Sequence, residues 1–135
     1  MEKTQLWKGT LEGCILTEIG KHATYGYNIV ETLRRNGFDG LTEGTVYPLL
    51  LRLEKQGYLQ SELHDSPMGP KRKYYALTES GRESAKEFAE AWKQMALAVG
   101  QILESAPSGQ NPAGDSLLAR PGAGKKKRKG GFFPG

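Results

Sequence analysis

The sequence predicts a mainly helical fold with one small β-hairpin, followed by a single long helix. Apolar residues recur at intervals of three and four over most of residues 6–104, which is the spacing of one face of an α-helix. This spacing stops after Gly57, where residues 58–77 alternate around a turn rich in Gly and Pro. Helical spacing then resumes from residue 79. The order is therefore helices, hairpin, long helix.

Two helices are expected before residue 40. The first is predicted over residues 6–19 and ends at Gly20, because apolar side chains recur there at helical spacing. Its stripe consists of Trp7, Leu11, Cys14, Ile15 and Ile19. The second is predicted over residues 25–36, with Thr24 as its N-cap and Gly37 as its terminator.

A third helix is expected from Thr42, its N-cap, to Gly57. Leu41 and Val46 have the spacing of a hydrophobic staple across the cap. The buried stripe comprises Val46, Leu49, Leu50 and Leu53, and the opposite face carries Gly44, Pro48, Leu51, Arg52 and Lys55. Pro48 lies inside the helix, where a proline costs ~3 kcal/mol or more. A local rule broken in this way is typical of a functional surface.

The hairpin that follows is expected to carry positive charge. Residues 58–64 are predicted to form one strand and residues 74–77 the return strand, around the turn-forming segment 65–70. The cations Lys71, Arg72 and Lys73 are expected at the tip. A helix followed by such a hairpin is the plan of a winged helix-turn-helix. The helix of that motif enters the DNA major groove, and the wing reaches the backbone or the adjacent minor groove.

Three separated motifs resemble the PadR family of transcriptional regulators in its short form. They are Tyr25-Gly26-Tyr27, EGTVYPLLLRLEKQGYL at residues 43–59, and GPKRKYYALTESGR at residues 69–82. The resemblance covers roughly residues 6–103. It implies a winged helix-turn-helix that binds double-stranded DNA. The position of Leu51 is often polar in the family, which leaves base reading there open, although a leucine can contact the methyl group of thymine.

The last helix is predicted over residues 79–104, capped by Thr78. It is longer than the small body needs, and its apolar stripe includes Phe88, Trp92, Met95 and Val99. An unpartnered stripe of this length favours a homodimer. The resemblance implies the same, with this helix pairing with the partner's first helix, so that Trp7, Leu11 and Cys14 join the interface.

The same surface is a candidate effector pocket. In some members of the family a tryptophan of the last helix stacks on a planar aromatic ligand, and the segment around Trp92 is similar to theirs. The alternative is that Trp92 fills the dimer core.

The charge of the chain is unevenly distributed. Residues 1–104 hold 13 Lys and Arg against 14 Asp and Glu, a net charge of −1, whereas residues 105–135 carry +5. Binding to nucleic acid must therefore rest on local placement. We expect Arg52, Lys55 and the three wing cations to converge while the acids lie elsewhere.

Other candidate DNA-binding residues have structural alternatives. Tyr25, Thr45 and Tyr47 are expected to donate hydrogen bonds to phosphates. The alternative for Tyr25 and Tyr47 is packing at a helix junction, and for Thr45 it is a second backbone bond inside the first turn. Arg52 is alternatively expected to pair with an acid such as Glu31, and Lys55 to be a solvated helix charge.

Enzyme, metal and cofactor sites are not expected. His22 and His64 have no ligand partners at metal-binding spacing, and no phosphate-cradling glycine loop precedes a helix. Cys14 is the only cysteine, which excludes an intrachain disulfide, and no apolar run is long enough to span a bilayer. The opening residues lack the apolar core of a signal peptide, so a cytoplasmic location is expected.

Three segments are predicted from these observations. They are a winged helix over residues 1–78, a dimerisation helix over residues 79–104, and a disordered basic Gly/Pro-rich tail over residues 105–135. The function expected is that of a dimeric DNA-binding repressor released by an effector or another signal. Two alternatives stay open: a winged-helix module that binds proteins, and a drug-binding protein whose contact with DNA is secondary.

Overall fold

A computed structural model describes residues 2–106 and confirms a mainly helical fold with a small antiparallel sheet and a long final helix. The predicted tail lies outside the described residues from position 107 onward. The elements are α1 (Lys3–Trp7), α2 (Leu11–Lys21), β1 (Thr24–Tyr25), α3 (Gly26–Arg35), α4 (Glu43–Lys55), β2 (Leu59–His64), β3 (Arg72–Leu77) and α5 (Glu79–Glu104).

The prediction of one continuous helix over residues 6–19 is wrong. The chain breaks between α1 and α2 at Gly9, whose φ of +87° lies in the left-handed region that favours glycine. Thr10 closes the break, because its hydroxyl donates to the carbonyl of Trp7 at 2.9 Å. Its own carbonyl accepts a hydrogen bond from the amide of Cys14, which starts α2.

The predicted start of the second helix is also wrong. Thr24 and Tyr25 form a short strand that pairs with β3 at Tyr75 and Tyr74, so the sheet has three strands in the order β1-β3-β2. Thr24 is therefore a buried sheet residue rather than an N-cap, and its hydroxyl accepts a hydrogen bond from the side-chain Nδ2 of Asn28 at 3.3 Å. The pairing draws the start of α3 against the wing.

The core lies between the helices and the inner face of this sheet. Fully buried aliphatic side chains come from α2, α3 and α4, and the sheet contributes Leu59, Tyr75 and Leu77. The helical members include Ile15, Ile19, Ile29, Val30, Val46, Leu50 and Leu53. Apolar burial contributes about 25 cal/mol per Å² of area removed from water. Burial in this cluster is therefore the main contribution to the stability of α4 against the other helices and the sheet.

The third predicted helix is confirmed as α4. Leu41 and Val46 are both buried, as the hydrophobic staple requires, and Gly57 leaves the helix with a φ of +87°. Thr42 occupies the N-cap position, but its hydroxyl makes no hydrogen bond to the backbone and lies 3.4 Å from the Thr45 hydroxyl instead. The predicted cap bond at Thr42 is therefore absent.

The long helix is confirmed as α5, and it begins directly on the turn that ends α4. The hydroxyl of Thr78 accepts the Gly81 amide at 3.0 Å and donates to the Gly57 carbonyl at 2.7 Å. The Thr78 amide donates to the carbonyl of Tyr58 at 3.1 Å. Gly81 is buried against that carbonyl so closely that a Cβ would overlap it.

The chain divides into two units, Met1–Ala96 and the part from Leu97 onward. Of the second unit, the structure describes residues 97–106, which continue α5 to Glu104. Apolar side chains are exposed in the single chain at Trp92 and Met95 of the first unit and at Val99 of the second. Among the described residues, no helix combines the length and apolar character needed to span a bilayer.

The hydrogen bonds of Thr78 predict its contribution to stability. Thr78→Val keeps the shape of the side chain but removes both bonds, so we expect the free energy of unfolding in urea to fall by about 1–2 kcal/mol, the usual value of an N-cap. Thr42→Val is the matched control, since Thr42 has the same position without the bond, and it should cost less than about 0.5 kcal/mol. Both variants are measured at the same protein concentration. Equal losses of unfolding free energy in Thr78→Val and Thr42→Val would contradict the assignment of Thr78 as the cap.

Candidate nucleic-acid interface

One face of α4 is exposed and carries mostly small or apolar side chains. Pro48 and Leu51 lie at its centre, and 56% of the Leu51 surface is accessible. Gly44 in the first turn and Lys55 in the last are exposed, as the sequence predicted, and Thr45 is exposed beside Gly44. Another surface can therefore approach the backbone of α4 closely along this face.

An open cleft of about 670 Å³ lies between this helix, the start of α3 and the wing. It brings together five of the predicted site residues, which are Tyr25, Tyr47, Lys71, Arg72 and Lys73. Leu51 and Leu63 contribute apolar surface to it. Arg52 and Lys55 are not among the cleft residues, and they line a second open surface of α4 together with Leu51 and Glu54.

Two of the sequence motifs meet in this cleft. A Cβ on Gly26 would lie 2.5 Å from the Tyr47 ring, so the glycine of Tyr25-Gly26-Tyr27 leaves room for the tyrosine of α4. Burial, and to a smaller extent the Glu43 carboxylate, raises the pKa of Tyr47. Its phenol therefore stays protonated at neutral pH and keeps a proton to donate. The structure shows the packing role of Tyr47 against Gly26, and the donor role to a phosphate stays a prediction.

Arg72 lies in a strand and packs against an aromatic stack, and it is not part of the wing turn. The structure places it at the first position of β3, whereas the sequence placed it at the wing tip. Its guanidinium carbon lies 4.5 Å from the centre of the Tyr25 ring, within cation–π range. Tyr25 in turn packs against Tyr74, and Tyr74 stacks on His64 at 4.3 Å. The stack orients the guanidinium toward the cleft.

Only Lys71 of the three predicted cations lies in the wing turn. Its side chain is 62% exposed, and its ammonium lies 3.8 Å from the highly exposed Asp65 carboxylate. Such a surface pair contributes little stability, so it leaves Lys71 able to contact an anion.

Lys73 has a different environment. Its ammonium donates to Glu54 Oε1 at 3.0 Å, and the Ser61 hydroxyl donates to Glu54 Oε2 at 2.6 Å. The Ser61 and Lys73 bonds lower the pKa of Glu54, and the bond to Glu54 raises the pKa of Lys73. Both groups are therefore charged at neutral pH, and the expectation that the acids lie away from these cations is wrong.

Arg52 is also paired. Its guanidinium donates to the carboxylate of Glu12 on α2, 40 positions away in sequence. The suggested partner Glu31 instead pairs with Arg34 at 3.2 Å. Glu12 and Glu54 were not among the predicted site residues. The Leu53-Glu54 pair belongs to the motif that carries the family resemblance, but nothing in the sequence says what Glu54 contacts.

The residues predicted for a dimer interface fall into two groups. Leu11 is buried in the core of its own chain, Cys14 is half-buried, and Trp7 packs edge-on against Phe38 at 5.3 Å. Burial raises the pKa of the Cys14 thiol. The Phe88 ring covers Gly13 and so joins α5 to α2. By contrast, Trp92, Met95 and Val99 are 49%, 36% and 45% exposed.

Within residues 2–106, no group of three or more His, Cys, Asp or Glu side chains is placed to hold a metal ion. The cleft itself presents hydrogen-bond donors, the positive charges of the three wing cations and the apolar surface of Leu51 and Leu63.

The chain is similar to known transcriptional regulators. The transcriptional regulator PadR-like family matches residues 15–87. A transcriptional regulator from Streptococcus is 45% identical, with 73% of this chain and 96% of that chain covered and a TM-score of 0.66. A PadR-like transcriptional regulator from Bacillus cereus is 41% identical, with 76% and 99% covered and a TM-score of 0.69. A PadR family regulator from Eggerthella lenta is 34% identical, with 76% and 89% covered and a TM-score of 0.67.

Proposed function

The chain belongs to the PadR-like family of transcriptional regulators, and on this basis we propose that it is a homodimeric repressor that blocks transcription by occupying an operator. The family consists of regulators that act on DNA and not of enzymes. The observation that carries the proposal is the cleft where the exposed face of α4 meets Lys71 and Arg72 of the wing.

In this proposal α4 enters the major groove and the wing follows the phosphate backbone. The small residues Gly44 and Pro48 permit close approach, and Thr45 and Tyr47 donate to phosphates beside the groove. Lys71 and Arg72 contact phosphates through exposed charge. Arg52 and Lys55 approach the backbone from the other flank, with Arg52 held by Glu12.

Leu51 is the proposed reader of a base. It is the most exposed large apolar side chain of α4, and the thymine methyl is the one apolar group that a base pair presents in the major groove. An exposed leucine at the centre of the recognition helix therefore favours thymine at the matching position of the operator.

A second copy of the chain is the proposed partner of α5. Apolar side chains that recur every three or four residues are exposed at Trp92, Met95 and Val99, which favours burial against another apolar helix. Two copies present two recognition helices and two wings, which suits half-sites about one helical turn apart, ~34 Å.

We propose that the protein releases the operator when a planar aromatic effector stacks on Trp92. The ring of Trp92 is half exposed in the single chain. A ligand there would change the angle between the two copies, and a coupling of about 1–3 kcal/mol is sufficient to alter binding. Regulation of this kind places the protein with the DNA in the cytoplasm.

The alternative function is a winged helix that binds another protein through the same face. Apolar Leu51 and Leu63 favour it, because protein interfaces bury such residues. The two functions differ in their response to salt. DNA binding must weaken steeply with added salt through counterion release, whereas an apolar protein contact does not.

Substitution of Leu51 tests the proposed base contact. Thymines of the operator are replaced singly by uracil, which removes only the methyl group. At one position of each half-site the affinity of the wild-type protein should fall about fourfold, since a buried methyl contributes about 0.8 kcal/mol. Leu51→Ala should be insensitive at that position, while the control Leu63→Ala should respond like wild type. If the wild-type protein tolerates every replacement, Leu51 does not read thymine.

Substitution of Val99 tests the dimer. Val99→Glu puts an unpaired charge into the proposed apolar seam, so sedimentation should show a monomer and the operator affinity should fall at least tenfold. Gln101→Glu introduces the same charge on the opposite side of the helix and should leave both properties unchanged. A Val99→Glu variant that remains dimeric would place the seam elsewhere.

A further inference from the structure

A single carboxylate of the recognition helix contacts both strands of the wing. Glu54, on the last turn of α4, accepts one hydrogen bond from Ser61 of β2 and another from Lys73 of β3. Each carboxylate oxygen has its own donor, at 2.6 Å and 3.0 Å. The contact joins residues that are 7 and 19 positions apart in sequence, so it connects two elements rather than stabilising one.

The surroundings of this contact are half-buried. The Glu54 and Lys73 side chains are 30% and 39% exposed, and the Lys73 ammonium lies 5.5 Å from the centre of the buried Tyr75 ring. Ser61 faces Tyr75 across the β2–β3 ladder. A charge-assisted bond is stronger in such a setting than at the surface, and it directs the Lys73 ammonium toward α4.

We propose that Glu54, Ser61 and Lys73 form a strut that sets the angle between the recognition helix and the wing, and that Lys73 acts through this strut instead of contacting a phosphate. The inference rests on the proposed function, because the angle matters only if both parts engage one DNA duplex. It assigns Lys73 a positioning role that differs from the role predicted from the sequence.

The geometry of the wing explains why a strut is needed. The wing leaves α4 at the Gly57–Tyr58 turn, and its phosphate-binding residues lie at the far end of β2 and β3. At about 3.3 Å per residue, the six residues of β2 form a lever of about 20 Å, so a rotation of ~10° at the turn moves the tip by ~3 Å. A shift of that size is enough to break a hydrogen bond to a phosphate.

The strut and a direct phosphate contact predict opposite effects at Glu54. A carboxylate near DNA repels the phosphate backbone. If Lys73 contacts a phosphate and Glu54 only weakens that contact, Glu54→Gln should tighten operator binding. If the strut holds the wing, Glu54→Gln should instead weaken operator binding, by about fivefold to tenfold, because contacting residues are typically coupled to this extent.

The experiment measures operator affinity against KCl concentration for the full chain. Lys73→Met, which keeps the aliphatic stem, should weaken binding without changing the salt slope, and Glu54→Gln/Lys73→Met should be no weaker than either single variant. Lys71→Met is the matched control and should reduce the slope by nearly one unit, as loss of a phosphate contact requires. Lys73→Arg should retain most of the affinity, because arginine also donates to a carboxylate.

A salt slope reduced by Lys73→Met, or tighter binding by Glu54→Gln, would overturn the strut while leaving the proposed function intact. Failure of the wild-type protein to bind any DNA sequence would overturn the proposed function instead. In that case hydrogen exchange without DNA still tests the strut. Glu54→Gln should speed amide exchange in β2 and β3 but not in α2, and unchanged exchange in the wing would refute it.

Discussion

The Gly57–Tyr58 turn is the constraint on which the other parts of the molecule depend. The Tyr58 amide donates to the Leu53 carbonyl at 2.9 Å, which ends α4, and Leu59 starts the wing one residue later. The carbonyls of Gly57 and Tyr58 accept hydrogen bonds from Thr78, at the start of α5. One turn therefore joins the recognition helix, the wing and the proposed dimerisation helix. This junction gives the proposed effector response a physical route, because the start of α5 is hydrogen-bonded to the turn that ends α4.

Ion pairing determines which cations remain available for DNA. Lys73 is paired with half-buried Glu54 and is used within the fold, whereas Arg52 is paired with Glu12 but keeps an exposed side chain. Lys71 is held only by a weak surface pair, and Arg72 lies against an aromatic ring that leaves its charge intact. A body with a net charge of −1 over residues 1–104 can thus bind a polyanion through a few well-placed groups. Specificity then depends on their geometry, which is why the position of the wing matters.

Local signals in the sequence predicted α4, α5 and the two strands of the wing, because caps, glycine terminators and apolar spacing act over a few residues. The break at Gly9 was missed because an apolar stripe continues across it. The two-residue strand β1 was missed because it needs a partner strand about 50 residues away. Five residues of the cleft were predicted as site residues, among them the wing cations, which follow from their place in a turn-rich hairpin. The partners of Arg52 and Lys73 were not, because side-chain pairing across elements leaves no periodic pattern.

In the proposed complex, two copies of this chain bind one symmetric operator through α4 and the wing. The most direct measurement is selection of genomic DNA fragments by the full chain, followed by hydroxyl-radical footprinting of the enriched fragment. We expect an inverted repeat with two protected half-sites whose centres lie ~34 Å apart, about one helical turn. Enrichment of no sequence, or a single protected segment without symmetry, would contradict it.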